Sequence, residues 1–130
     1  MKKMKKIFCI LLIASSFSAA AAPNMEQLTK SLWPWNPASI KYAKGVLLVT
    51  TKERKVSMEI YTSMISTGVC TSLFSNPNSL NDVSEVRVQN IFEKQGITFI
   101  GGNAECHELN NSPANKQKME LAARTKMGIK

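Results

Sequence analysis

The stretch Val83-Ser-Glu-Val-Arg-Val-Gln-Asn-Ile-Phe-Glu-Lys-Gln-Gly-Ile-Thr-Phe-Ile100 decides the fold. Val83 to Phe92 and Ile97 to Ile100 are rich in β-branched and aromatic residues and read as two strands. Glu93-Lys-Gln-Gly96 between them reads as the turn, with Gly96 free to take a positive φ. Strands joined this closely pair antiparallel. The alternation slips at Asn90-Ile91, where a bulge is expected, and Gly101-Gly102 closes the second strand.

Upstream, Gly45 to Thr51 reads as a further strand. Its run Val46-Leu-Leu-Val49 is continuously apolar, which suits a strand covered on both faces. A helix follows, with Thr50 or Thr51 as N-cap and Glu53 in its first turn. Val56, Ile60, Met64 and Ile65 recur at helical spacing, and Gly68 fits the stop. Val56, Met58, Ile60 and Thr62 also alternate as a strand would, but the helical reading is preferred. Ser75 to Asp82 consists of turn-formers and marks a loop. Asn24 to Leu32 reads as a short helix capped by Asn24, which Pro34 and Pro37 end in favour of an extended path. The order helix, strand, helix, strand, strand, helix predicts an α+β domain. Its core is a small, mainly antiparallel sheet packed with one or two helices and stapled by one disulfide.

The staple is Cys70 with Cys106. The third cysteine, Cys9, lies in an N-terminal segment with the features of a secretory signal. That segment has a basic start (Met1 to Lys6), an apolar run from Ile7 to about Phe17, and small residues from Ser18 to Ala22. It is short for a membrane span, which needs roughly 20 apolar residues. No cysteine stands near Ala22 to accept a lipid. Residues 1–21 are therefore expected to be a cleaved Sec-type signal, residues 22–111 one compact domain, and residues 112–130 a basic helical tail. The protein is expected in the periplasm or secreted, with no transmembrane segment after cleavage. In that oxidising setting an even pair, Cys70 and Cys106, is expected to form a disulfide.

Cleavage also changes the charge. The whole chain carries +8, but Lys2, Lys3, Lys5 and Lys6 leave with the signal, so thirteen bases against nine acids give +4. From Ala22 to Asn111 bases and acids balance. From Ser112 to Lys130 Lys116, Lys118, Arg124, Lys126 and Lys130 stand against Glu120 alone. Ser112-Pro113 is a cap-plus-N1 pair, and Met119, Ala122, Ala123 and Met127 form a weak apolar stripe behind it. The tail reads as a helix that docks loosely or orders against a partner. A solvated helix face explains its charge, and so does attraction to an anionic surface.

Catalytic chemistry is poorly provided for. His107 is the only histidine and adjoins Cys106, but neighbouring side chains point apart, and an oxidised cysteine offers no thiolate. Glu105-Cys106-His107-Glu108 lacks the converging ligand spacing of a zinc site and reads as a polar loop around the disulfide. Glu53, Glu59, Glu85 and Glu93 leave a carboxylate pair formally open, with no spacing that sets one. Gly101-Gly102 lacks the rest of a phosphate loop, and the tail has no aromatic residue for nucleic-acid stacking. No catalytic residue, metal or cofactor is expected, and no nucleic-acid partner.

Trp33-Pro34-Trp35-Asn36-Pro37 is the densest aromatic segment. Its indoles either close the bottom of the core, which a small domain favours, or anchor a partner. The function expected first is a non-enzymatic protein-binding module of the cell envelope, such as an inhibitor, an immunity factor or an accessory subunit. Its candidate contacts are Trp33, Trp35, Lys116, Lys118, Arg124 and Lys126. The second expectation is an envelope-surface binder that places the basic tail on anionic lipid or glycan. The third is a small carboxylate-dependent cell-wall hydrolase.

Overall fold

In a computed structural model, which describes residues 22–130, the apolar stretches form the centre of a five-stranded sheet. The expected signal segment lies outside the described residues. The strands are β1 (Ser39–Ala43), β2 (Val46–Thr50), β3 (Glu85–Gln89), β4 (Gly96–Ile100) and β5 (Thr125–Met127), and they lie side by side in chain order. All neighbours pair antiparallel except β2 and β3, which run parallel. A parallel pair needs a crossover. Residues 51–84 supply it, through α2 (Met58–Ser63), a π-helical turn (Met64–Val69) and α3 (Ser72–Ser75). Before the sheet comes α1 (Met25–Ser31), and between β4 and β5 come α4 (Asn103–Asn111) and α5 (Ala114–Ala123). The architecture is α+β with a mainly antiparallel sheet.

Alternation along each strand sorts the side chains. Leu47, Val49, Val86, Val88, Ile97 and Phe99 are fully buried and meet in register across the middle strands. They pack with Leu28, Leu32, Tyr61, Met64, Ile65 and Val69 into one core. The continuous run in β2 does not mean cover on both faces. Leu47 and Val49 are buried, whereas Val46 and Leu48 stay half-buried on the other side.

The central helix starts later than the threonines suggested, because the sheet claims Thr51. Its N–H and its hydroxyl both donate to the Gln89 carbonyl, at 2.9 and 3.0 Å. The chain then runs beside the β3–β4 connection, where Gln95 bonds both backbone groups of Val56. Ser57 caps α2 by accepting the Ile60 N–H. Nor does Gly68 end the helix. It lies inside the π-helical turn, and a Cβ there would stand 2.8 Å from Leu32 Cδ2 and 3.1 Å from Trp35 Cζ3. Glycine is required at that place for close packing.

The β3–β4 connection also differs from expectation. Asn90 ends β3 by folding its carboxamide over the turn: Oδ1 accepts from the Lys94 and Gln95 N–H groups and Nδ2 donates to the Arg54 carbonyl. The slip at Asn90-Ile91 is therefore a strand end rather than a bulge. Glu93 carries the positive φ, at 60°. Gly96 sits in β4, where a Cβ would lie 2.2 Å from the Val88 carbonyl oxygen.

Cys70 and Cys106 are bonded and both fully buried, tying the end of the π-helical turn to α4. Glu105 to Glu108 thus lie on a helix, not in a loop, and the Gly102 N–H donates to the Glu105 carboxylate at its start. The last segment is likewise more than a helical tail. After α5 the chain returns as β5, with Thr125 opposite Phe99 and Met127 opposite Ile97. Leu121 is buried behind it. The edge of β4 and the buried Tyr61 hydroxyl both need hydrogen-bond partners, and this short strand supplies them.

Candidate functional site

Trp33 and Trp35 take different roles. Asn24 caps α1 by accepting the Gln27 N–H, and α1 closes at the buried Leu32. Pro34 then fits the first turn of a 3-10 segment, Trp33–Trp35, which the left-handed Asn36 (φ 46°) terminates. The indoles stand two positions apart, two thirds of a 3-10 turn, and so point in different directions. Trp35 packs half-buried against the core, while Trp33 is 73% exposed. Trp33, Thr29, Asn36, Pro37, Ser39 and Ile40 line a shallow cavity of about 240 Å³. Only Trp35 contributes to the core.

The extended path expected over Trp33 to Pro37 is thus a 3-10 turn, because Pro34 fits its first turn. The cavity adjoins β1, a strand that the sequence did not announce. β1 turns into β2 through Lys44 and Gly45, with φ of 48° and 84°, the positive values that two-residue hairpin turns require. The backbone of β2 shows which way β1 faces. The Gly45 carbonyl accepts from Glu85 and the Thr51 N–H donates to Gln89, so odd-numbered residues of β2 bond to β3. Val46, Leu48 and Thr50 therefore bond to their partners Ala43, Lys41 and Ser39. The backbone groups of Ile40 and Tyr42 point outward, and among the described residues no strand pairs with them. The Tyr42 hydroxyl donates to the Asp82 carboxylate, and that hydrogen bond, more than desolvation, holds its pKa above the usual value. From Gln27 to Lys52 the chain has Lys30, Lys41, Lys44 and Lys52 and no acid, and Asp82 is brought to this edge by Tyr42.

The basic residues of the last segment do not join the tryptophans. Lys116 and Lys118 are exposed on α5. Arg124 is held by Glu108 at 2.7 Å. Lys126 lies on β5, four strand spacings or roughly 19 Å from β1. It falls instead into a row across the outer sheet face: Lys41, Leu48, Arg87, Thr98 and Lys126. Arg87 in that row is paired with Glu85 at 2.8 Å.

An apolar groove of about 480 Å³ runs between α2 and α5, lined chiefly by Met58, Thr62, Lys118, Met119, Leu121 and Thr125. Only the weak methionine and alanine stripe of α5 hinted at it. Behind it Tyr61 is fully buried, and desolvation pushes its pKa up to about 12 although the Thr125 hydrogen bond opposes the shift.

His107 is exposed on α4 and Cys106 faces the core, so the neighbours diverge on the helix. Among the described residues no three His, Cys, Asp or Glu side chains are grouped to hold a metal ion. Glu53, Glu59, Glu85 and Glu93 sit on four different segments, and Glu85 is engaged by Arg87. Among the described residues no helix is long and apolar enough to cross a membrane. Comparison with protein-family models, curated proteins and solved structures found no significant match to this chain.

Proposed function

We propose that this chain is a non-enzymatic protein-binding module of the cell envelope, acting in the periplasm or after secretion as an inhibitor, an immunity factor or an accessory subunit. The export reading rests on residues 1–21, and the buried disulfide is compatible with it. One observation carries the binding reading. Trp33 is held out of the core by a rigid turn whose other indole, Trp35, is packed in. A large exposed aromatic on a fixed support is the kind of anchor that dominates protein contacts. The test is capture from an envelope extract of the source cells. Wild type should retain one stoichiometric protein at physiological salt, and Trp33→Ala should fold normally but release it. An unchanged complex with Trp33→Ala would defeat the assignment.

A second reading follows from Lys41 and Lys126, exposed in one row of the sheet, with the exposed Lys116 and Lys118. These cations suit an anionic lipid or glycan surface, with binding that weakens steeply as salt rises. Vesicle binding unchanged in a Lys116→Gln/Lys118→Gln/Lys126→Gln variant would remove it.

A further inference from the structure

We propose that the free edge of β1 takes up an extended, acidic segment of the partner protein as a sixth strand, with an apolar side chain of that segment seated against Trp33. This rests on the protein-binding reading and gives that contact a mode. Strand addition draws affinity from backbone hydrogen bonds and selectivity from alternate side chains. β1 offers both. The backbone groups of Ile40 and Tyr42 point away from β2, two donors and two acceptors over a five-residue strand. β5, the other edge, has only three residues.

The chemistry of the added strand follows from the two sides of β1. Ile40 and Tyr42 turn their side chains to the helix side, where Trp33, Thr29 and Pro37 shape the cavity. A residue of the added strand directed to that side near Ile40 meets the apolar surface of Trp33, Pro37 and Ile40, with Thr29, Asn36 and Ser39 around it, while Tyr42 further along is turned to Asp82. Lys41 turns to the outer face and is exposed, and Lys44 follows in the turn. A residue directed to the outer face meets cations in a stretch, Gln27 to Lys52, without an acid. The complementary segment alternates apolar and acidic residues. A second copy of this chain fits less well. An antiparallel β1–β1 pair centred on Lys41 sets two lysines directly opposite, and like charges so placed are destabilising. A lysine in an edge strand is a common guard against such self-pairing.

The test uses the oxidised protein and two synthetic nonapeptides alternating valine or phenylalanine with either glutamate or lysine. Amide exchange by NMR reports the edge. The glutamate peptide should slow exchange at Ile40 and Tyr42 and leave Ser39, Lys41 and Ala43, which already face β2, unchanged. The lysine peptide should leave all five unchanged. Lys41→Glu should weaken the glutamate peptide about tenfold and transfer the protection at Ile40 and Tyr42 to the lysine peptide. Equal protection by both peptides, protection confined to Thr125 and Met127, or no protection by the glutamate peptide would overturn the proposal. The envelope partner separates the two levels of the argument. If it stays bound to Lys41→Glu while Ile40 and Tyr42 exchange freely, the edge mode falls and the binding reading stands. If wild type retains no partner, both fall.

Discussion

The Tyr61 hydroxyl lies 2.8 Å from Thr125 Oγ1, joining the crossover helix to the last strand across 64 positions. The same hydroxyl donates to the Thr98 carbonyl in β4 at 3.3 Å. Tyr61 thus links α2, β4 and β5 from inside the core, and the final segment completes the fold.

This contact makes stability depend on alkaline pH. The Tyr61 pKa is raised from 10.0 to about 12 on folding, chiefly by desolvation. The neutral phenol is the folded form, so its contribution is fully present below pH 10 and is lost as pH rises towards 12. Between those values the unfolded chain binds fewer protons, and stability should fall by up to about 1.4 kcal/mol per pH unit. Urea unfolding from pH 8 to 11.5 should show this fall. In Tyr61→Phe the slope should flatten, with a baseline loss of about 1 kcal/mol at neutral pH. Tyr42, also raised, titrates in the same direction, so Tyr42→Phe is the control.

Removal of the last segment should destabilise the whole domain. A chain ending at Asn111 loses β5, the burial of Leu121 and the Thr125 partner of Tyr61. Burial of one leucine alone is worth about 2 kcal/mol, so a loss of at least about 3 kcal/mol is expected in urea unfolding. Lys116→Gln and Lys118→Gln, both at exposed sites, should stay within about 0.5 kcal/mol of wild type. Equal stability of the truncated and full chains would contradict this account of β5.

The tryptophans should separate cleanly by stability. Trp33→Ala should change it by less than about 0.5 kcal/mol, since the indole is exposed. Trp35→Ala should cost about 2 kcal/mol or more, since that indole packs on Leu32 and the π-helical turn. Gly68→Ala should cost about 1–3 kcal/mol, because its Cβ meets Leu32 and Trp35. Thermal or urea unfolding of the three variants ranks them.

The disulfide should be worth about 4 kcal/mol for a loop of this length, on chain-entropy reasoning. Cys70→Ser/Cys106→Ser should lose that much in equilibrium unfolding. Because both sulfurs are buried, reductant added to the native protein should act slowly until denaturant opens the core. Rapid reduction of the native state would show that the region around α4 opens on its own.

Much of the centre was legible in the sequence. Val46 to Val49, Val86 to Gln89 and Ile97 to Ile100 carry enough β-branched and apolar side chains to announce strands whatever surrounds them. The cysteine pair was legible as a local chemical signal, and so was the approximate start of the last helix, although Pro113 stands at its N-cap instead of its first helical position and Ser112 closes α4. The edges were not. β1 reads Ser-Ile-Lys-Tyr-Ala and β5 reads Thr-Lys-Met, with weak alternation and modest propensity. Their state is decided by hydrogen bonds to β2 and β4, partners that only the folded chain brings near.

The candidate site divides the same way. Sequence by itself determined that an aromatic cluster interleaved with prolines exists, that the stretch around it carries lysines and no acid, and that Cys70 and Cys106 are present to pair. Local composition carries all three. Only the tertiary structure decided that Trp35 turns inward and Trp33 outward, that Arg124 is tied to Glu108, and that Lys126 joins Lys41 across the sheet instead of lining a helix. The reason is packing. A short 3-10 turn can present either indole to the core, and the choice falls to the space left open by Gly68, which is distant in sequence from both.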